Sequence, residues 1–200
     1  VFRSERGLLD LPPSRLLGAH QVINAGTAIA ALEASGLEVP VTAIERGLGT
    51  VDWPARMQRL SSGPLVDLVP GAEVWLDGGH NPGAGTVIAA TLADLARRAP
   101  RPLLLVCGML ETKDPIGFFR PFAGSAEGVA CVPVVGDHPG RAPAALAEAA
   151  RAAGLTATVH DSVAAALREI ATRTDEAPRI LICGSLHLAG EVLRENGPLP

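Results

Sequence analysis

The spacing of apolar and polar positions changes period partway along the chain. From Leu17 to Ala34 the sequence is alanine-rich, with Val22, Ile23, Ile29, Ala30 and Leu32 spaced to form apolar helical faces and Gly36 placed to end the helix. Thr42-Ala43-Ile44-Glu45 has the form of a capping box and predicts a short helix from about Val41 to Leu48. After Trp53-Pro54-Ala55-Arg56 the pattern becomes strand-like. Met57 to Leu60 and Leu65 to Val69 flank Ser61-Ser62-Gly63-Pro64, which predicts a hairpin. From Glu73 onward, short apolar runs alternate with helical patterns. The spacing predicts strands at Val74 to Asp77, Leu103 to Cys107, Val129 to Val134, Ala157 to Val159 and Ile180 to Cys183. It predicts helices at Gly83 to Arg98, Pro115 to Ala123, Ala142 to Ala153, Val163 to Thr172 and Leu188 to Asn196. Alternation of this kind implies right-handed crossovers and an α/β fold, a mainly parallel sheet with helices on both faces. Leu103-Leu104-Leu105-Val106 is apolar throughout, as a strand buried on both faces requires.

One stretch stands out in this alternation. Val74-Trp75-Leu76 runs into Asp77-Gly78-Gly79-His80-Asn81-Pro82, and a long amphipathic segment follows at once. Asn accepts bonds from free helical N–H groups, and Pro is favoured at the first helical position because its missing N–H is no loss there. Asn81 is therefore expected to cap a helix that starts at Pro82. Three further polar clusters follow predicted strands: Gly108 to Asp114, Gly136-Asp137-His138, and Gly184-Ser185-Leu186-His187. All four then lie at the carboxyl ends of a parallel sheet, where ligands bind in open α/β folds.

Composition narrows the classes. The 200 residues are 48% hydrophobic, enough for one good core, and the formal net charge of −4 offers no basic face for a nucleic acid. No stretch has membrane-spanning length and the first residues do not resemble a signal peptide, so a cytoplasmic protein without membrane partners is expected. Cys107, Cys131 and Cys183 all fall in predicted strands, an odd number without metal-ligand spacing, and are expected to be reduced core thiols. Asp137 and His138 lack further ligand partners and make no metal site. Val1 to Asp10 is neither a targeting segment nor preceded by an initiator Met, which reads as part of a longer polypeptide.

Five motifs in order carry a resemblance. Gly18-Ala19-His20-Gln21-Val22-Ile23-Asn24-Ala25, Trp53-Pro54-Ala55-Arg56, Asp77 to Pro82, Gly108-Met109-Leu110-Glu111-Thr112-Lys113-Asp114 and Cys183-Gly184-Ser185-Leu186-His187 resemble the folylpolyglutamate synthase/dihydrofolate synthase family of the Mur ligase superfamily. The last two favour the folate branch. The resemblance covers nearly the whole chain but only the later half of such an enzyme. It implies that residues 1–53 are the helical tail of a P-loop ATPase domain and that 54–200 form a Rossmann-like ligase domain. It implies ATP and magnesium as cofactors, with the magnesium ligands in the preceding part of the protein. This chain has no Gly-x-x-x-x-Gly-Lys-Ser/Thr loop of its own, and Gly83-Ala84-Gly85 falls inside a predicted helix. The substrates implied are L-glutamate and either dihydropteroate or a reduced folate, and the intact enzyme would be a monomer.

The resemblance also assigns roles. Asn24 would contact the adenine of ATP, a task suited to a carboxamide that both donates and accepts. Arg56 would reach the phosphates, where family members often have Gly-Arg and this chain has Ala55-Arg56. Asp77 would accept from the ribose hydroxyls. His80, beside the expected helix start, would orient or deprotonate the incoming amine, while backbone N–H groups there bind a glutamate carboxylate. Lys113, Ser185 and His187 would complete the glutamate pocket, and Asp114 would cap the helix before Pro115. Hinge closure would bring the two domains together over ATP. The fragment alone would be inactive. Two other readings fit parts of the pattern: a muropeptide amino-acid ligase of the same superfamily, and a non-catalytic α/β ligand-binding domain such as a receiver or sensor.

Overall fold

The computed structural model describes residues 1–136, 138–173 and 176–197. Asp137 lies outside the described residues. The chain divides into two compact units, Val1–Pro54 and Ala55–Pro200.

The first unit begins with a hairpin that the sequence pattern did not announce. Strand β1 (Phe2–Ser4) pairs antiparallel with β2 (Gly7–Leu9), with Gly7 at φ 125° closing the turn. Ser4 Oγ donates to Glu33 Oε1 at 3.1 Å and Arg6 to the Glu33 carbonyl at 2.8 Å, fastening the hairpin to helix α1 (Ala19–Ala34). Ser35 caps α1, and Gly36 follows at φ 75° as expected. Of the helix only Gln21 and Ile29 are buried, while Val22 and Ile23 are 66% and 71% exposed. Helix α2 (Val41–Thr50) starts behind Pro40, which supplies no side-chain cap. The Thr42-Glu45 capping box is therefore not formed: the helix has already begun one residue earlier, and Thr42 lies inside it.

The second unit holds a sheet of order β3-β4-β8-β5-β6-β7, comprising β3 (Gln58–Leu60), β4 (Glu73–Leu76), β5 (Leu103–Cys107), β6 (Gly128–Cys131), β7 (Ala157–Val159) and β8 (Arg179–Cys183). Every pairing is parallel except β3 with β4. The connecting helices are α3 (Pro82–Arg98), α4 (Pro115–Phe119), α5 (Pro143–Ala152), α6 (Val163–Arg173) and α7 (Leu186–Asn196). Side chains of α6 and α7 share one core with Val74, Val106 and Ile182, whereas those of α3, α4 and α5 share the other with Leu105, Leu181 and the phenylalanines at 118, 119 and 122.

The predicted hairpin is corrected here. Leu65 to Val69 forms no strand; Val66–Leu68 is a turn of 3-10 helix, and β3 pairs with β4 in the register Gln58↔Leu76. A five-residue stretch with apolar residues at four positions and Asp67 in the middle does not distinguish strand from helical turn, and Leu65 and Val69 bury themselves equally well either way. The helix expected from Pro115 to Ala123 breaks into α4 and a 3-10 turn at Arg120–Phe122.

Two close approaches shape the packing. A Cβ on Gly85 would fall on the Phe118 carbonyl, so a glycine on α3 lets α4 lie against it. Cys131, Cys107 and Cys183 stand in register on the adjacent strands β6, β5 and β8, all fully or almost fully buried. Burial pushes the Cys107 thiol well above its ordinary range, and its neighbour Cys183 adds to the effect. Burial likewise pushes Cys131 up to about 12.

Candidate active site at the carboxyl rim of the sheet

Because β4, β8, β5 and β6 run parallel, the loops leaving them share one rim. Strand β3 runs the other way, so its beginning reaches that rim. Backbone bonds join the lip: Gly184 N–H donates to the Gly79 carbonyl at 3.0 Å, Gly108 N–H to Cys183 at 3.2 Å, and Val132 N–H to Cys107 at 2.9 Å. Gly184 sits at φ 102°, and a Cβ there would meet the Gly108 carbonyl oxygen at 2.6 Å.

Asp77 is 6% exposed and braces the rim. Its Oδ1 accepts the Gly79 N–H at 2.7 Å and its Oδ2 the Met57 N–H at 2.8 Å. The second bond reaches the turn that carries Arg56. Ala55 and Met57 on either side of Arg56 both have left-handed backbones, with φ of 56° and 43°. Each such residue costs about 1–3 kcal/mol and persists only where its surroundings hold it. Three bonds do so: the Met57 N–H to Asp77 Oδ2, the Gly78 N–H to the Ala55 carbonyl at 2.8 Å, and the Ala55 N–H to Gln58 Oε1 at 2.8 Å. Ala55 and Met57 bury into opposite cores, and Arg56 between them is exposed, with no hydrogen-bond or ion-pair partner among the described residues. The left-handed conformation is why glycine suits position 55.

His80 is half-buried, with Nδ1 3.0 Å from the Gly78 carbonyl. A carbonyl only accepts, so Nδ1 carries the hydrogen and the neutral ring has its basic lone pair on Nε2. Asn81 caps α3 as expected, its side chain accepting from Ala84 N–H at 2.9 Å. Gly85 N–H bonds the Asn81 carbonyl and Pro82 has no N–H. Within the first turn this leaves Gly83 as the N–H not engaged by these bonds, a narrower anion site than a bare helix end.

Lys113 is half-buried in the loop after β5, which Arg141 clamps by donating to the carbonyls of Glu111 at 2.6 Å and Lys113 at 3.1 Å. Asp114 caps α4 through the Gly117 N–H at 3.0 Å. Ser185 is 2% exposed and caps α7, its Oγ accepting from His187 N–H at 3.1 Å. The His187 ring is exposed and lies 4.4 Å from that of His138. One turn further along α7, Glu191 accepts the Val135 N–H at 2.8 Å. Asn24 belongs to the first unit, exposed on α1, where its Nδ2 donates to Gln21 Oε1 at 3.0 Å and the Gln21 amide contacts His20 Nε2 at 2.9 Å.

Sequence reasoning missed Gln58 and Arg141. A glutamine opening a strand and an arginine in a loop carry no motif, and only the geometry reveals what they hold. Among the described residues no group of three or more His, Cys, Asp or Glu side chains could hold a metal ion. A cavity of about 400 Å³ lies away from the rim, between α6 and strands β5 to β7. Its polar groups engage one another, Thr158 with His160 at 2.9 Å and Glu169 with Arg173 at 2.7 Å.

A parallel sheet with one antiparallel edge strand, an Asp-Gly-Gly-His-Asn-Pro loop and an arginine turn at one rim together define a class. The chain belongs to the Mur ligase family, matching the description "Mur ligase, glutamate ligase domain" over residues 55–186. Within that family it is similar to the folylpolyglutamate and dihydrofolate synthases. The dihydrofolate synthase/folylpolyglutamate synthase of Escherichia coli (strain K12) is 31% identical over 193 residues, which cover 96% of this chain and 42% of that protein. The solved structure of E. coli FolC in complex with DHPP and ADP superimposes with a TM-score of 0.74 at 30% identity, covering 96% of this chain and 42% of that one. A bifunctional folylpolyglutamate synthase/dihydrofolate synthase solved with Mn, AMPPNP and L-glutamate bound gives a TM-score of 0.72 at 27% identity, covering 94% and 42%. The chain thus spans less than half the length of these relatives and matches their C-terminal portion. No described helix is long and apolar enough to cross a membrane.

Proposed function

We propose that the protein containing this chain is an ATP-dependent ligase that joins L-glutamate to a reduced folate, to dihydropteroate, or to both. In the reaction, ATP phosphorylates the acceptor's carboxylate, giving an acyl phosphate and ADP. The amine of glutamate then attacks the acyl carbon, and phosphate leaves as the amide forms. The observation that carries the reading is the rim itself, where His80 with its basic Nε2, the capped start of α3 and the exposed Arg56 all meet in one unit. His80 takes a proton from the amine or orients it, a role worth about 10²–10⁴-fold in rate. Gly83 N–H and Lys113 face the carboxylates of glutamate, with Ser185 and His187 completing that pocket. Arg56 binds phosphate oxygens of ATP, Asp77 the ribose and Asn24 the adenine.

The phosphate loop and the magnesium ligands are assigned to the part of the protein preceding this chain, and magnesium would neutralise phosphate charge there. Residues 1–53 are read as the tail of that ATPase domain. The exposure of Val22 and Ile23 on α1, and of Leu8 at 63% and Leu37 at 61%, supports this, because an alanine-rich helix with so little buried surface belongs to a larger core. The rest of the reading is a cytoplasmic monomer acting on small molecules, without nucleic-acid or membrane partners.

The test uses the intact protein with labelled glutamate, ATP and three acceptors: dihydropteroate, a reduced folate, and a UDP-linked muramyl peptide. Glutamate is expected on a pteridine acceptor with stoichiometric ADP, and His80→Gln is expected to slow amide formation about 100-fold or more. Transfer to the muramyl acceptor alone, or to none, would overturn the proposal.

A further inference from the structure

We propose that Gln58 is a positioning residue for Arg56, its side-chain carbonyl holding the left-handed turn that presents the guanidinium to ATP. The inference rests on the phosphate-binding reading of Arg56 given above.

Three features of the turn point this way. Two consecutive-but-one residues without glycine's freedom, Ala55 and Met57, hold positive φ angles, and strain of that kind survives where the surroundings impose it. The residue between them is Arg56, exposed and without a hydrogen-bond or ion-pair partner among the described residues. The three bonds that impose the shape come from different elements: Met57 N–H is held by Asp77, Ala55 carbonyl by Gly78 N–H, and Ala55 N–H by Gln58 Oε1 at 2.8 Å. The first two tie the turn to the loop after β4. The Gln58 bond alone closes the turn on its own strand, since Gln58 is the first residue of β3 and pairs with Leu76. Without it the Ala55 N–H loses its acceptor and Ala55 is free to relax toward φ < 0, which swings the Cα–Cβ direction of Arg56. An arginine fork matches phosphate oxygens only in a narrow geometry, so a small rotation of its base matters more than its charge would imply.

The experiment is a double-mutant cycle in the intact protein, reading kcat and KM for ATP and for glutamate separately, with Arg56→Ala, Gln58→Ala, Gln58→Glu and the double variant Arg56→Ala/Gln58→Ala. Gln58→Ala is expected to lower kcat/KM for ATP about tenfold, the equivalent of one lost hydrogen bond, and to leave KM for glutamate within about twofold. Gln58→Glu keeps the acceptor oxygen and is expected to restore the value to within about threefold. In the Arg56→Ala background, Gln58→Ala is expected to cost nothing further, because the group it positions is gone. An impaired Arg56→Ala with a normal Gln58→Ala overturns the positioning role alone. So does a Gln58→Ala loss that recurs in full without Arg56, or one matched on KM for glutamate, since either marks a merely structural glutamine. An Arg56→Ala variant with unaltered ATP kinetics overturns the phosphate reading of Arg56, and this proposal with it.

Discussion

Replacing Asp77 by Asn keeps the shape of the side chain and removes one acceptor oxygen. The two carboxylate oxygens each face a backbone donor, Gly79 N–H at 2.7 Å and Met57 N–H at 2.8 Å. An amide has one oxygen, so whichever way it turns, its NH₂ confronts one of those N–H groups at 6% exposure, where water offers little relief. Losing a hydrogen bond to a charged group costs about 1.5–3 kcal/mol, and the surviving bond weakens from charge-assisted to neutral. The sum is about 2–4 kcal/mol against the second unit. At about 4 °C per kcal/mol for a domain of this size, the melting temperature is expected to fall by roughly 8–16 °C. The assay is thermal unfolding with amide hydrogen exchange at Met57 and Gly79, one of which is expected to lose protection. A variant melting within about 2 °C of the parent with both amides still protected would show that the carboxylate does not brace the turn.

Two further outcomes follow from groups inside the sheet, a partly buried carboxylate at one end of β4 and three buried thiols at the ends of β5, β6 and β8. Burial raises the Glu73 carboxyl, but the Arg179 hydrogen bond at 2.8 Å and its charge outweigh that and, with Arg59, hold it below the usual carboxylate range. A lowered folded value means the contribution is present above the unfolded pKa and is lost as pH falls through the folded one. Glu73→Gln leaves Arg179 with a neutral acceptor there and its bond to the Ala99 carbonyl at 3.2 Å, so it is expected to destabilise by about 1–3 kcal/mol near neutral pH, and the gap to the parent is expected to narrow as pH falls through the lowered value of Glu73; a gap independent of pH would refute the assignment. The in-register thiols of Cys131, Cys107 and Cys183 are expected to be inert to an aromatic disulfide reagent at mild pH and all three to react once the chain is unfolded, given their burial and the raised values at Cys107 and Cys131. Fast labelling of the native chain would contradict the packing.

The sequence carried the sheet core and the capped loops well, because those are local signals. Leu103–Cys107 and Ala157–Val159 are strands with the expected bounds, and Asn81 and Asp114 cap the helices that Pro82 and Pro115 begin. What it hid depends on partners distant in the chain. Strand β3 pairs with β4 across the intervening 3-10 turn at Val66–Leu68 and not with the segment that follows Ser61-Ser62-Gly63-Pro64, and no periodicity encodes that choice. The short β1–β2 hairpin is built from Arg3, Ser4 and Gly7, which look like a loop until Glu33 is seen holding it. At the rim, Asp77 and His80 advertised themselves by type and spacing. Gln58 did not, since its importance lies in the backbone it grips, and Ser185 shows a capping bond that its motif alone leaves open.

The reversed direction of β3 has a consequence for how such a rim is inherited. Four strands contribute residues that come after them, but this one contributes a residue that comes before it, so Arg56 stands at the doorway of the second unit instead of at an exit. Any insertion or deletion between Pro54 and Gln58 would shift the guanidinium directly, whereas the longer loops after β5 and β6 have slack to absorb such changes. Length in that one short segment is expected to be held more strictly across related chains than its amino-acid types are.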